Sequence, residues 1–366
     1  MRRACFACTT PYQIMGAVSI VTAEGMTADL IVFGMFDGYE DLASRIREAG
    51  IFSDVIAVPP GKFQSPGQIG ALGQMVRCGA VVASFLPADR QYERCFLSSR
   101  AHIKNLLLHE LLRRNPRMGI VIYDDGMGTY DGRSHVLNTS AMRVRAEKLL
   151  GWNIYDPERI EYLVYEPALF TRPARYGTCP VRQMPKPGER KETMELIARI
   201  FHVTPEDQIR ERVIIFDPFR GLDSERAQKF PAIDRCYREA VSVFGRDNVI
   251  IKPHPRSTEK PDADAKIYTR SGIPMEALYA GMEDLQDRIL ITYASTAVYT
   301  PRILFAKEPW VIALFRITDG ETGSEWQPQF DKFRQAYSAP ERMAAPVSAE
   351  EFTWLIRGIR DPAQNA

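Results

Sequence analysis

Two adjacent carboxylates close an apolar run at Ile120-Val-Ile-Tyr-Asp-Asp-Gly-Met-Gly-Thr129. Val121 and Ile122 suit a buried strand, and Gly126 and Gly128 punctuate its end. In a parallel sheet, ligands bind outside the carboxyl ends of the strands, where Asp124 and Asp125 stand. Successive strand side chains point to opposite faces, so one of the pair faces a ligand. A carboxylate there with a tuned pKa can serve as general base. The same residues also suffice for an Asx-type turn that closes the strand without chemistry.

Two further groups could hold an anion. In Lys252-Pro-His-Pro-Arg256, each proline biases the preceding residue toward extended geometry. An extended run projects Lys252, His254 and Arg256 to one side, a plausible phosphate or carboxylate site. His254 can hydrogen-bond or protonate a leaving phosphate; a basic surface loop is the alternative. In Tyr293-Ala-Ser-Thr-Ala297, Ser295 or Thr296 caps a following helix. A hydroxyl and helix N-terminal amides bind phosphate well, although capping alone explains both residues. Pro301 falls inside that helix and is expected to kink or shorten it.

The elements that must position these groups alternate between strand and helix. Residues 3–8 read as a buried strand. Thr10 then serves as N-cap, Pro11 as first helical residue and Gln13 as the partner closing a capping box. Ile14, Ala17, Val18 and Val21 keep helical spacing up to Gly25. Strands follow at 29–33, 55–58 and 94–97, with helices at 42–49 and 102–114. Residues 59–73 read as loop-rich, and 76–85 fit either element. A helix at 140–150, rich in Arg and Lys, is a solvated face or an aid to holding an anionic substrate. Six prolines crowd 155–188, which reads as an interdomain connection.

A second such pattern runs from a helix at 194–201 through strands at 212–216, 248–251, 289–292 and 311–314. A helix is expected at 233–244, and Ser348-Ala-Glu-Glu351 is a capping box opening a last one. Alternation of this kind argues for parallel sheets, α/β, in two Rossmann-like domains facing a central cleft: a GT-B-like architecture. The expected division is 1–165, a linker at 166–190, 191–345, and a terminal helix at 346–366.

At 366 residues, the chain is long enough for two domains, with 45% apolar and 25% charged residues. A net charge of +1 gives no whole-chain argument for nucleic acid or membrane binding. No apolar run reaches the length of a membrane span. The stretch after Arg2 and Arg3 is broken at Thr9, Thr10, Pro11 and Gln13, unlike a signal peptide. Cys5 and Cys8 have no second pair at zinc spacing and read as small buried hydrophobes in a reducing, cytoplasmic setting. His102 and His109 share a helix face but have no evident third ligand, so they read as packing or surface residues. Asp217, ending a strand, is open between a structural residue, a ligand contact and a competing base.

Tyr-Asp-Asp-Gly at 123–126, Lys-Pro-His-Pro at 252–255 and Ala-Ser-Thr at 294–296 resemble three motifs of bacterial sialyltransferases. These are the acidic-acidic-Gly, His-Pro and Ser/Thr motifs. Thr10-Pro-Tyr-Gln13 and the chain length look most like the lipooligosaccharide sialyltransferases of glycosyltransferase family 52, related to the polysialyltransferases. The motifs are short, but their order spans nearly the whole chain. The resemblance implies an inverting transferase that needs no metal or other cofactor and uses CMP-sialic acid as donor. Asp124 would deprotonate an acceptor hydroxyl, and His254 would bind or protonate the departing phosphate. Lys252, Pro255, Arg256, Ser295 and Thr296 would surround the donor. Thr10, Gln13, Asp125, Gly126 and Asp217 would line the acceptor side or cleft.

Expected partners are the nucleotide sugar and a glycan acceptor (lipooligosaccharide, capsule or oligosaccharide), with no nucleic acid. The resemblance also admits a homodimer and peripheral attachment at the inner face of the membrane. Asp262-Ala-Asp264 spells the D-x-D with which some glycosyltransferases hold a metal, but its polar, Pro- and Lys-flanked setting reads as solvated loop. Three other readings stay open. One is a GT-B transferase using a UDP-hexose or CMP-Kdo, and another is a nucleotide-sugar epimerase or hydrolase. The third is a non-catalytic binding protein, whose periplasmic form the missing signal sequence disfavours.

Overall fold

A computed structural model describes residues 3–63, 67–98, 101–130, 149, 151–152, 154, 156–221, 227–254, 257–270, 272–320 and 325–361. Pro255, Arg256 and nearly all of the basic 140–150 stretch lie outside the described residues. The chain divides into two compact units, Met1–His202 and Val203–Ala366.

The first unit holds a seven-stranded sheet. Its strands are β1 (Arg3–Cys8), β2 (Thr27–Phe33), β3 (Asp54–Val58), β4 (Arg94–Leu97), β5 (Gly119–Tyr123), β6 (Ile160–Val164) and β7 (Val181–Gln183). They lie in the order β3-β2-β1-β4-β5-β6-β7, every pair parallel. Helices cover parallel sheets on both faces, which is why β1 and β2 are near-continuous apolar runs rather than alternating ones. The chain leaves β1 toward β2 on one side and later returns to β4 on the other. This reversal opens a crevice at the carboxyl ends of β1 and β4.

The second unit repeats the plan with β8 (Val213–Phe216), β9 (Val249–Lys252), β10 (Lys266–Ile267), β11 (Ile289–Thr292), β12 (Trp310–Ala313) and β13 (Met343–Ala344). Their order is β10-β9-β8-β11-β12-β13, all parallel, with the reversal between β8 and β11. The Phe230–Phe244 helix packs on the terminal Ala349–Arg360 helix through a core that includes Tyr237, Phe352 and Ile356. Each unit is Rossmann-like, and two in tandem give the α/β, GT-B-like composition expected.

The unit boundary falls at 202/203, not within 166–190. The proline-crowded stretch supplies β7, and prolines there start short 3-10 turns such as Pro167–Leu169 and Pro187–Glu189. The prolines thus punctuate the stretch without excluding an edge strand. The Lys191–Ile200 helix packs on the Pro11–Glu24 and Tyr39–Ala49 helices of the first unit. Its Thr193 hydroxyl lies 3.1 Å from that of Thr22. The terminal helix is part of the second unit's core rather than a separate element. Residues 76–85 resolve into the end of a Gly67–Val76 helix and a Cys78–Ala83 helix. Among the described residues, no helix is long and apolar enough to cross a membrane.

Candidate active site

The first unit gathers polar groups at the carboxyl ends of β1, β4 and β5. Thr10 caps the Pro11–Glu24 helix as expected, its Oγ1 accepting from the Gln13 amide at 3.3 Å. Gln13 does not close the box on Thr10. Its Oε1 accepts from the Thr9 amide at 2.8 Å, the Thr9 hydroxyl at 3.0 Å and the Lys104 ammonium at 3.0 Å. Its Nε2 donates to Asp125 Oδ1 at 3.0 Å. Gly16 lets this helix approach the sheet: a Cβ there would stand 2.9 Å from Met184 Cε and 3.0 Å from the Tyr123 ring. The Tyr123 hydroxyl in turn donates to the Gln13 carbonyl at 3.0 Å.

Asp124 has no exposed surface. Its Oδ1 accepts from the Gly126 amide at 2.7 Å, and the half-buried Tyr12 hydroxyl stands 3.5 Å away. Its Oδ2 accepts from the Tyr130 hydroxyl and, at 3.2 Å, from the Tyr165 amide. Gly126 makes the tight turn with φ at +72°, in the left-handed region that favours glycine. Burial raises the Asp124 pKa to about 7, against the opposing pull of hydrogen bonds from Tyr130, Tyr165 and Gly126. A carboxyl so tuned can take up or release a proton near neutrality.

Asp125 is half-buried, and its backbone amide donates to Thr129 Oγ1 at 2.8 Å. Burial raises its pKa too, but Lys104 and Gln13 pull the other way. Lys104 is fully buried, and desolvation lowers its pKa to about 8. Sequence reasoning missed Lys104, although a signal existed: it shares the apolar stripe of Leu107, Leu108 and Leu111. It also missed Tyr130, whose hydroxyl additionally accepts from the Glu166 amide at 3.0 Å.

In the second unit, Asp217 is buried and clasped by Arg220, at 2.8 and 3.0 Å from Nε and 2.9 Å from Nη2. Arg220 also binds Asp234 at 2.6 Å and stacks over Phe230 at 4.5 Å. This buried triad ties the loop after β8 to the following helix, so Asp217 has a structural role and its oxygens are engaged. Lys252 and His254 turn to different neighbours. The Lys252 ammonium sits 4.5 Å from the centre of the Tyr268 ring beyond β10, whereas the His254 ring meets Phe219 edge-on at 5.7 Å, beyond β8. Burial lowers the Lys252 pKa, with Glu276 opposing.

Ser295 caps a three-residue 3-10 turn, accepting from the Ala297 amide at 3.3 Å, and Thr296 is exposed. Pro301 does not interrupt a helix but lies in the first turn of a short one, Thr300–Phe305. An unanticipated cluster stands beside this loop: the Lys229 ammonium reaches Asp319 at 2.6 Å and the Tyr293 hydroxyl at 2.8 Å. Desolvation opposes the Lys229 charge, but these partners hold its pKa above the ordinary value.

Asp262 and Asp264 are exposed and pair with Arg238 at 2.8 Å and Arg246 at 3.4 Å. His102 bonds Gln74 at 3.0 Å, and His109 stacks on Trp152 at 4.1 Å. All six cysteines are free and buried. Among the described residues, no three His, Cys, Asp or Glu side chains gather as a metal site.

No family model matches the chain, and no curated protein matches it in sequence. Solved structures do match. UDP-GlcNAc 2-epimerase from Neisseria meningitidis, bound to UDP-GlcNAc, aligns over 100% of this chain and 92% of its own, at 12% identity and a TM-score of 0.55. Spinosyn rhamnosyltransferase SpnG, complexed with thymidine diphosphate, aligns over 98% and 92% at 14% identity and a TM-score of 0.48. LpCGTa in complex with UDP aligns over 98% and 90% at 10% identity and 0.47. At such identity the epimerase speaks for the fold alone, and the two weaker likenesses carry no argument.

Proposed function

We propose that the chain is an inverting glycosyltransferase that moves sialic acid from CMP-sialic acid to a glycan hydroxyl. The observation that carries this reading is the Asp124 carboxyl, buried at the carboxyl end of β5 with its proton affinity brought near neutrality. The order of the three motifs along the chain supports the donor assignment. In the reaction, the acceptor oxygen bonds to the anomeric carbon as the bond from that carbon to the CMP phosphate breaks. The acceptor proton passes to Asp124. His254, half-buried beside Phe219 on the second unit, gives the departing phosphate a hydrogen bond or a proton. Tyr12 guards Asp124 Oδ1 at 3.5 Å, and the acceptor hydroxyl takes its place on binding. Lys252, Ser295 and Thr296 complete the donor side in this reading; attachment to the inner membrane face and a homodimer belong to it as well.

The test is CMP release from CMP-sialic acid, with and without a panel of galactose-terminated acceptors, in EDTA. Wild type, Asp124→Ala and His254→Ala are compared. Acceptor-dependent release that both variants lose supports the reading. Absence of both release and CMP binding in wild type overturns the donor and turns attention to UDP sugars. Liposome flotation and light scattering test the membrane and dimer expectations.

A further inference from the structure

We infer that Lys104, acting through the side-chain amide of Gln13, is a positioning residue that keeps Asp125 ionised and fixed beside Asp124. The two adjacent carboxyls thereby divide the work: Asp125 is a standing anion that orients substrate hydroxyls, and Asp124 is the group that exchanges the proton. The inference rests on the proposed transfer reaction for its role, but not for its electrostatics.

Lysine is almost never fully buried unless paired, and Lys104 has no exposed surface. It stands in the first turn of the His102–Arg114 helix, directly after β4, and its ammonium ends on Gln13 Oε1. That one oxygen takes three donors: Lys104 Nζ, the Thr9 amide and the Thr9 hydroxyl. A rotated amide would aim its own NH2 at all three, so the orientation is fixed. Nε2 must then point at Asp125 Oδ1, where it donates at 3.0 Å. The carboxylate is thus held by an amide that is itself held by a cation.

Among the described groups that face Lys104, Asp125 is the natural counter-charge. Cys8 on β1 faces Lys104, and burial pushes its thiol up to about 12. Cys95 on β4 is a buried thiol, and burial raises Tyr123 on β5 well above the ordinary phenol range. Cys8 and Tyr123 are therefore neutral near pH 7. Among the described residues, Asp124 receives only neutral donors, and beyond Tyr130 the Glu166 charge is already matched by Lys186 at 2.5 Å. One carboxyl therefore has a cation behind it and the other, among the described residues, has none. Burial raises both carboxyls, but Lys104 and Gln13 oppose it at Asp125, whereas the Asp125 charge adds to it at Asp124.

The test is a carboxyl-carbon NMR titration of the full, ligand-free chain labelled with 13C-aspartate, with Asp124→Asn and Asp125→Asn assigning the two signals. Asp125 is expected to titrate below Asp124. In Lys104→Met its midpoint rises by about one pH unit or more, and Lys104→Arg restores part of the shift. If the Met variant does not fold, Gln13→Glu serves instead: its new carboxylate competes for Lys104 and raises the Asp125 midpoint. An Asp125 midpoint unmoved in the folded variant, or lying above that of Asp124, overturns the inference. Transfer assays form a separate arm, in which Lys104→Met lowers kcat and leaves the donor KM in place. If no nucleotide sugar is ever turned over while the titrations behave as stated, the proposed reaction fails and the electrostatic inference stands.

Discussion

Replacing Asp124 by Asn removes one titration from the interior of the first unit. In the folded protein its carboxyl holds its proton up to about pH 7. In the unfolded chain an aspartic acid loses it at about pH 3.9. Between those values the folded state binds more protons than the unfolded one. The stabilisation is therefore complete below the unfolded value and is lost as pH rises through 7. Each unit of that window corresponds to about 1.4 kcal/mol, so roughly 4 kcal/mol disappears between about pH 4 and 7. Asp124 is wholly buried, so solvent screening takes little from this figure. The variant does not titrate, and subtracting its stability curve isolates the effect. It also carries a constant offset: Gly126, Tyr130 and Tyr165 donate to two oxygens, and an amide offers one, which costs about 1–3 kcal/mol at every pH. Native-state hydrogen exchange at the β5 amides reads the first unit by itself. The expected result is a wild-type advantage that shrinks steadily from pH 4 to 7 and is level above. A difference that stays flat across that range means Asp124 ionises like an ordinary carboxylate. That outcome refutes the argument that burial has prepared it as a base.

Arg220→Met strands Asp217 and Asp234 without their cation and should cost about 3–5 kcal/mol in urea unfolding of the second unit. Gly16→Ala drives a Cβ to 2.9 Å from Met184 Cε and 3.0 Å from the Tyr123 ring, and thermal unfolding should show a loss of about 1–3 kcal/mol. The double change Asp262→Asn, Asp264→Asn removes only surface pairs with Arg238 and Arg246. It should move stability by under about 0.5 kcal/mol and leave transfer in EDTA at the wild-type rate.

Strands buried on both faces announce themselves as unbroken apolar runs, which is why β1, β2, β5, β8 and β11 are readable in the chain. β6 is just as apolar, but it lies between Pro157 and Pro167 and looks like part of a linker. β7, β10 and β13 have two or three residues, too few to show any period. In the site, Thr10, Gln13, Asp124, Asp125 and Gly126 are legible because turn and cap chemistry marks the ends of strands. The partners of Gln13 are not legible, since a capping box and a link to Lys104 ask for the same residue. Lysine is read as exposed by type, so Lys104 needed the stripe it interrupts to be noticed. The extended Lys252–His254 run suggested one shared side, yet aromatic rings on opposite flanks of β9 draw the two side chains apart.

The unlike settings of Asp124 and Asp125 follow from which strands flank β5. On one side is β6, and the residue just past it, Tyr165, gives Asp124 a backbone amide. Among the described residues every donor on that carboxyl is neutral, so burial dominates and raises its proton affinity. On the other side is β4, with β1 beyond it. The helices that follow those two strands deliver Lys104 and Gln13 to Asp125, and a buried cation favours the ionised form. The two carboxyls are chemically identical and adjacent, so their difference comes from sheet order and from the alternation of side chains at a strand end. Exchanging that order, or removing the cation, erases the distinction even with both aspartates in place. The acidic pair is therefore not two equal groups; the strand order around β5 brings a buried cation to one member and neutral donors to the other among the described residues.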